Sequence, residues 1–198
     1  MKLKDIDGNQ ILVCYGSGNA REAHTAFEQT FFGLSDKAID YALLKKTVKG
    51  KPLISNDWHF SLSHAENKFV FAIGKQHALG IDIEGLAYLS RCSQSHLEAL
   101  AKRVYTDVEL DIWYRNQHLQ TFLQLWTLKE AYLKALGWGL GDYPNEIQAI
   151  TCRDGKLCLS DTGFDAHIFP RPDGHYCSLV CKKGKKLLFA SSKDTNQY

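Results

Sequence analysis

The chain has no apolar run long enough to cross a bilayer. Its six cysteines, Cys14, Cys92, Cys152, Cys158, Cys177 and Cys181, contain no C-x-x-C pair, and no Cys/His spacing matches a zinc site. Several sit in apolar, strand-like runs, where a free thiol behaves as a small hydrophobe. Reduced cysteines of this kind point to the cytoplasm. Charge of one sign is also lacking: 24 Lys and Arg face 22 Asp and Glu, for a net charge of +2 and a pI near 8.2. That balance excludes general nucleic-acid binding but suits an anionic ligand in a local basic site. The opening Met1-Lys-Leu-Lys-Asp-Ile-Asp7 carries acids where a secretory leader needs an apolar run. Low-complexity tracts and close repeats are absent.

What is present is core-forming material. Of 198 residues, 44% are hydrophobic and 12% aromatic, enough for one generous domain or two small halves. Ile11 to Tyr15 reads as a strand ended by Gly16-Ser-Gly18. Asn19 caps a helix through Phe32, and Ser35 or Asp36 caps a second helix ending near Lys46. Gly50-Lys-Pro52 is a turn. Trp58 to Ser63 alternates, with Trp58, Phe60 and Leu62 on one face. Lys68 to Gly74 is an apolar strand, and a turn at Lys75 to His77 makes it a hairpin with the strand that follows. Ser93 to Leu110 has helical character, and Asp107 to Tyr114 continues it or starts a new helix. Beyond Gly137 come short strands, with turns at Arg153-Asp-Gly-Lys156 and Pro172-Asp-Gly-His175. Lys182, Lys183, Lys185 and Lys186 flank Gly184 in a solvated hairpin turn. Each half runs helical and then β, so the expected fold is α+β in two similar halves, 1–90 and 91–198.

Two segments carry chemistry. Leu79 to Glu84 alternates as a half-buried strand, with Gly80, Asp82 and Glu84 on one face. Side chains two apart lie about 6.5–7 Å from each other along a strand, so Asp82 and Glu84 could share one cation. A solvated strand face is the plainer account of an isolated D-x-E. His118 to Leu136 reads as a helix, apolar almost all round and therefore buried, with Gly137 as its C-cap. At roughly 100° per residue, Thr127, Glu130 and Lys134 form a narrow polar stripe. A buried charged stripe needs a partner; the alternative is a surface Glu–Lys pair one turn apart.

Gly50-Lys-Pro52, Phe60-Ser-Leu-Ser-His64, Gly80-Ile-Asp-Ile-Glu84 and Trp126-x-x-Lys129-Glu130-Ala-x-x-Lys134 occur in that order. The series resembles the 4'-phosphopantetheinyl transferases, most closely the surfactin-synthetase-activating type, whose single chain holds two pseudo-symmetric α+β halves with the active site in the cleft between them. The other main type is shorter and trimeric. The resemblance implies transfer of the phosphopantetheine arm of coenzyme A to a serine of an acyl, peptidyl or aryl carrier protein, with magnesium, and release of 3',5'-ADP. It assigns Asp82, Glu84 and Glu130 to magnesium and makes Glu130 the general base. It places Lys129 and Lys134 near the pyrophosphate, and Lys51, Pro52, Ser63 and His64 at the coenzyme. Relatives of this type carry extra basic residues near the N-terminus for the 3'-phosphate. Here Arg21 is the best positional match, with Lys45, Lys46 and Lys49 as alternatives. A monomer is expected, with no nucleic-acid or membrane partner. Two rival readings are a coenzyme-A-binding homologue without catalysis and a magnesium-dependent phosphohydrolase.

Overall fold

The computed structural model describes residues 6–35, 45–46, 52–54, 58–75, 77–116, 118–138, 144–171 and 173–191. In chain order these form β1 (Gln10–Ser17), α1 (Ala20–Ser35), β2 (Lys45–Lys46), β3 (Pro52–Leu53), β4 (Trp58–Ala65), β5 (Lys68–Lys75) and β6 (Leu79–Gly85). Then come α2 (Leu86–Leu89), α3 (Gln94–Val104), α4 (Asp107–Asn116), α5 (Leu119–Ala135), β7 (Ile150–Arg153), β8 (Lys156–Leu159), β9 (Phe164–Pro170), β10 (His175–Lys182) and β11 (Lys186–Ser191). The fold is α+β, as the sequence leads one to expect. Lys45 and Lys46 are extended rather than the end of a helix, and the rest of the second helix expected there lies outside the described residues.

Two sheets make the body. One runs β11-β1-β5-β4 and the other β6-β10-β9. Alternation in the strands builds three apolar layers. Leu12, Cys14, Phe69, Phe71 and Ile73 face α1 and meet Ala23, Phe27 and Phe31. Val13, Val70 and Ala72 face the other way, onto Ile81, Ile83, Cys177 and Leu179 of the second sheet. The far side of that second sheet is covered by α5, with α3 and α4 packed beyond it. The order is therefore helix, sheet, sheet, helices.

Two local readings of the sequence do not hold. β5 and β6 are not a hairpin: β5 pairs with β1 and β4, whereas β6 pairs with β10. The short connection carries the chain from one sheet to the other. Likewise β10 and β11 do not pair across Gly184, because β11 runs parallel to β1. In both cases two apolar strands and a tight turn imitate a hairpin, and strand period cannot report which partner is chosen. The β7–β8 and β9–β10 turns are true hairpin connections.

The helix ends follow the sequence. Asn19 caps α1 reciprocally: its Oδ1 accepts from the Arg21 and Glu22 N–H groups, and Glu22 Oε2 accepts from the Asn19 N–H. Gly137 at φ +79 ends α5 in a Schellman motif. Its N–H donates to Lys134 O, and that of Trp138 to Leu133 O.

Candidate active site

The site forms where β6 lies under α5. β6 is buried on both faces, not half-buried. Ile81 and Ile83 point into the inter-sheet layer, while Gly80, Asp82 and Glu84 turn toward α5. Gly80 sets the approach. A Cβ there would lie 2.0 Å from Ala131 O and 2.5 Å from Ala135 N, so only glycine lets the strand press against the helix backbone. On α5 the polar stripe faces down. Thr127 Oγ1 lies 2.7 Å from Ser178 Oγ, and Ser178 is the strand partner of Asp82. Lys134 Nζ donates to Asp82 Oδ1 at 2.6 Å and to Ile81 O at 3.3 Å.

β4 closes the site from the first sheet. Ser61 Oγ accepts from the Ile81 N–H at 3.0 Å, which satisfies the free edge of β6. Ser63, on the same face, donates to Asp82 Oδ1 at 2.8 Å. Asp82 is 2% exposed, and its Oδ1 takes both donors. Its Oδ2 is buried with no partner among the described residues.

The electrostatics follow from three carboxylates close together under low exposure. Burial, then the charges of Asp82 and Glu130, push Glu84 up to about 8. Burial and Asp82 push Glu130 up to about 7. Burial also raises Asp82, against the pull of Lys134 and Ser63. Burial alone would lower the Lys134 ammonium, but Asp82, Glu130 and Glu84 hold it above its usual value. One cation among three acids leaves the cluster short of positive charge. The acids do not close into a ready metal cage among the described residues; Lys134 pairs with Asp82 and feels the charges of Glu130 and Glu84. Beside Glu84 an apolar hollow of about 170 Å³ opens between Leu89, Leu100, Phe122, Leu123 and Trp126.

These features were legible at Asp82, Glu84, Glu130, Lys134 and Ser63, which the structure brings together. Others are not brought there. Lys129 points away from the cluster into the layer below α4, where it pairs with Glu109; both side chains are fully buried. The cause is rotation: one residue on a helix is about 100°, enough to carry Lys129 off the Glu130 stripe. His64 lies on the opposite face of β4 from Ser63, the face whose Phe60 and Leu62 meet the α1 layer. Arg21 is exposed on α1 and lines a hollow with Gln29, Tyr15 and Ser191, on the β1–β11 side. Lys51 lies outside the described residues, as does Lys49. Of Lys45, Lys46 and Pro52 only the backbone is described: Lys46 pairs with Pro52 in β2–β3.

Sequence reasoning did not single out Glu66, one of the charges that raise Glu84. The available signal was a glutamate in the two-residue loop between β4 and β5, where glycine or asparagine is usual.

Residues 78–181, more than half of the chain, match the family model of the 4'-phosphopantetheinyl transferase superfamily. The chain belongs to that superfamily. Among curated proteins it is similar to the 4'-phosphopantetheinyl transferase gsp of Aneurinibacillus migulanus, 36% identical over 50% of this chain. It is 35% identical over 51% of its length to the 4'-phosphopantetheinyl transferase HetI of Nostoc. Over 52% it is 32% identical to the L-aminoadipate-semialdehyde dehydrogenase-phosphopantetheinyl transferase of Rattus norvegicus. The matches span 39%, 42% and 37% of those proteins, so the chain covers well under half of each. The superfamily match takes in β6 and α5 whole, and so all four residues of the acid–lysine cluster.

Proposed function

We propose that this superfamily member transfers the 4'-phosphopantetheine arm of coenzyme A to a serine hydroxyl of an apo carrier protein. The observation that carries the reading is the meeting of Asp82, Glu84 and Glu130 around Lys134 beneath α5. The serine oxygen forms a bond to the phosphorus bearing pantetheine, and the bond from that phosphorus to the bridging oxygen breaks. The products are the phosphopantetheinyl serine and 3',5'-ADP. Glu130, held at about 7, suits a base that takes the serine proton near neutral pH. Lys134 can follow the charge that develops on the departing phosphate. Ser63, donating to Asp82, orients that acid rather than standing free for the coenzyme.

The buried Asp82 Oδ2, without a hydrogen-bond partner among the described residues, and the surplus of acid over base fit a hard divalent cation. Asp82, Glu84 and Glu130 would hold magnesium, which neutralises phosphate oxygens when bound. The two-halves architecture of 1–90 and 91–198, a monomeric state and a cytoplasmic location belong to the same proposal. Among the described residues no helix is long and apolar enough to cross a membrane.

The test is a mass-shift assay against a panel of apo carriers, with coenzyme A and magnesium. Gain of one phosphopantetheine on the carrier serine supports the proposal. Binding of coenzyme A without transfer, or its hydrolysis without a carrier, would sink it in favour of the inactive homologue or the phosphohydrolase.

A further inference from the structure

The apolar layer between the two sheets is closed at one edge, where β4 packs on β6. At the other edge β11 ends one sheet and β9 the other, and Phe189 meets Phe169 edge-on with ring centroids 5.4 Å apart. Beside that contact a hollow of about 290 Å³ runs in between the sheets. Strand alternation supplies its walls: Val13 from β1, Val70 from β5 and Cys177 from β10 all belong to the inter-sheet layer. Phe189, on the rim, is 62% exposed, the most exposed large apolar side chain among the described residues. Cys177 and Ser178 point to opposite faces of β10, and Ser178 is the strand partner of Asp82. The hollow is thus on the other side of the second sheet from the acid cluster.

A single charge is set into these walls. Arg171 follows β9 directly, and its N–H donates to His175 O, so its side chain keeps the alternation and turns the same way as Phe169. Its guanidinium carbon lies 3.9 Å from the centre of the Tyr15 ring. Such a fork is matched to a carboxylate, yet no acid pairs with it among the described residues. Asp173, two positions on, is engaged elsewhere: Oδ2 accepts from the Tyr15 hydroxyl at 2.5 Å, Oδ1 lies 3.2 Å from His175 Nδ1, and Lys68 Nζ stands 3.7 Å away. Arg171 Nε is buried without a hydrogen-bond partner among the described residues. The other polar walls stay neutral. Burial, then Asp173, push the Tyr15 hydroxyl up to about 12, and burial pushes the Cys177 thiol up to about 12. A lone cation against apolar walls attracts an anion more strongly than it would in water.

We propose that this hollow binds a medium-chain carboxylate, with the apolar tail between Val13, Val70, Phe169 and Phe189 and the carboxylate on the Arg171 fork. Apolar walls with one placed polar group are the usual make-up of a small-ligand pocket. Size points to the chain length: at about the 30 Å³ that a water occupies in the liquid, the hollow takes roughly ten non-hydrogen atoms, as in octanoate. The ligand touches β1 and β5 of one sheet and β9 and β10 of the other, so it ties the two sheets together. Its binding does not depend on the transferase reaction.

Calorimetry titrates octanoate and octan-1-ol into wild type, Arg171→Gln and Phe189→Asp, while urea denaturation reports whether each variant keeps its fold. Octanoate should bind wild type one to one, with nuclear Overhauser contacts from its chain to the rings of Phe169 and Phe189. Arg171→Gln should weaken octanoate about ten- to a hundredfold and leave octan-1-ol unchanged. Phe189→Asp, at an exposed position, puts a like charge at the mouth and should weaken octanoate at unchanged stability, which decides the matter even where Arg171→Gln does not fold. No binding to wild type, or binding that both variants leave unchanged, would overturn the proposal. Octan-1-ol binding wild type as tightly as octanoate would overturn it too, since Arg171 would then play no part.

Discussion

Lys129 and Lys134 stand five residues apart on one helix and do different things. Lys134 is part-exposed and serves the acid cluster. Lys129 is sealed beneath α4 against Glu109, whose carboxylate also accepts from the Thr106, Ala149 and Ile150 N–H groups. Removing the ammonium would leave that carboxylate buried without its counter-charge. Lys129→Ala should thus cost about 3–5 kcal/mol, measured by urea denaturation, whereas a lysine at the pyrophosphate would leave stability nearly unchanged. Arg21 is exposed and lines the hollow beside β1; a charge-assisted contact from it to the coenzyme's 3'-phosphate, worth about 1.5–3 kcal/mol, would make Arg21→Ala weaken coenzyme A binding roughly ten- to a hundredfold, which calorimetry checks. The raised acids also set a pH dependence. Glu84 and Glu130 have folded values of about 8 and 7 against ordinary values of 4.5. Their contribution to stability is complete below pH 4.5 and is lost as pH rises through 7 to 8, since the fold then holds charge it would rather not. Magnesium should therefore raise Tm more at pH 8 than at pH 6. In Glu84→Gln that difference should shrink; a magnesium effect independent of pH would count against the cluster.

At the scale of elements, β6 and α5 act as one unit, and Gly80 is their point of contact. Gly80→Ala would drive a methyl into the backbone of Ala131 and Ala135, where nothing flexible can give. The strand must then lift from the helix, at a cost of about 1–3 kcal/mol or more, and the reach from Lys134 to Asp82 is lost with it. Urea denaturation and transfer activity should both fall, whereas Glu84→Gln should lose activity alone. Much of this unit was legible. Period two put Gly80, Asp82 and Glu84 on one face, and the helical repeat put Thr127, Glu130 and Lys134 on one stripe. Those patterns are local, and side-chain direction follows from them. The pairing of β6 with β10 and of β11 with β1 was not legible, because choice of strand partner is settled by which apolar faces meet across the whole chain. Lys129 shows the same boundary from the other side: the motif places it beside Glu130 in sequence, while helix rotation places it in the core.

At the scale of the whole molecule, the site joins both sheets: Ser63 comes from β4 in the first, Asp82 and Glu84 from β6 in the second, and Glu130 and Lys134 from the helix above. All of these belong to one chain, so activity per chain should be independent of protein concentration; loss of activity on dilution would show that a second copy is needed. The central claim is that this meeting of acids and lysine is where phosphopantetheine changes hands. Its most direct test is the intact mass of an accepting apo carrier after incubation with coenzyme A, magnesium and either wild type or Glu130→Gln. The account predicts a carrier heavier by one phosphopantetheine with wild type, and a rate at least about 10²-fold lower with Glu130→Gln at unchanged Tm or above. A Glu130→Gln variant that modifies the carrier at the wild-type rate would contradict it.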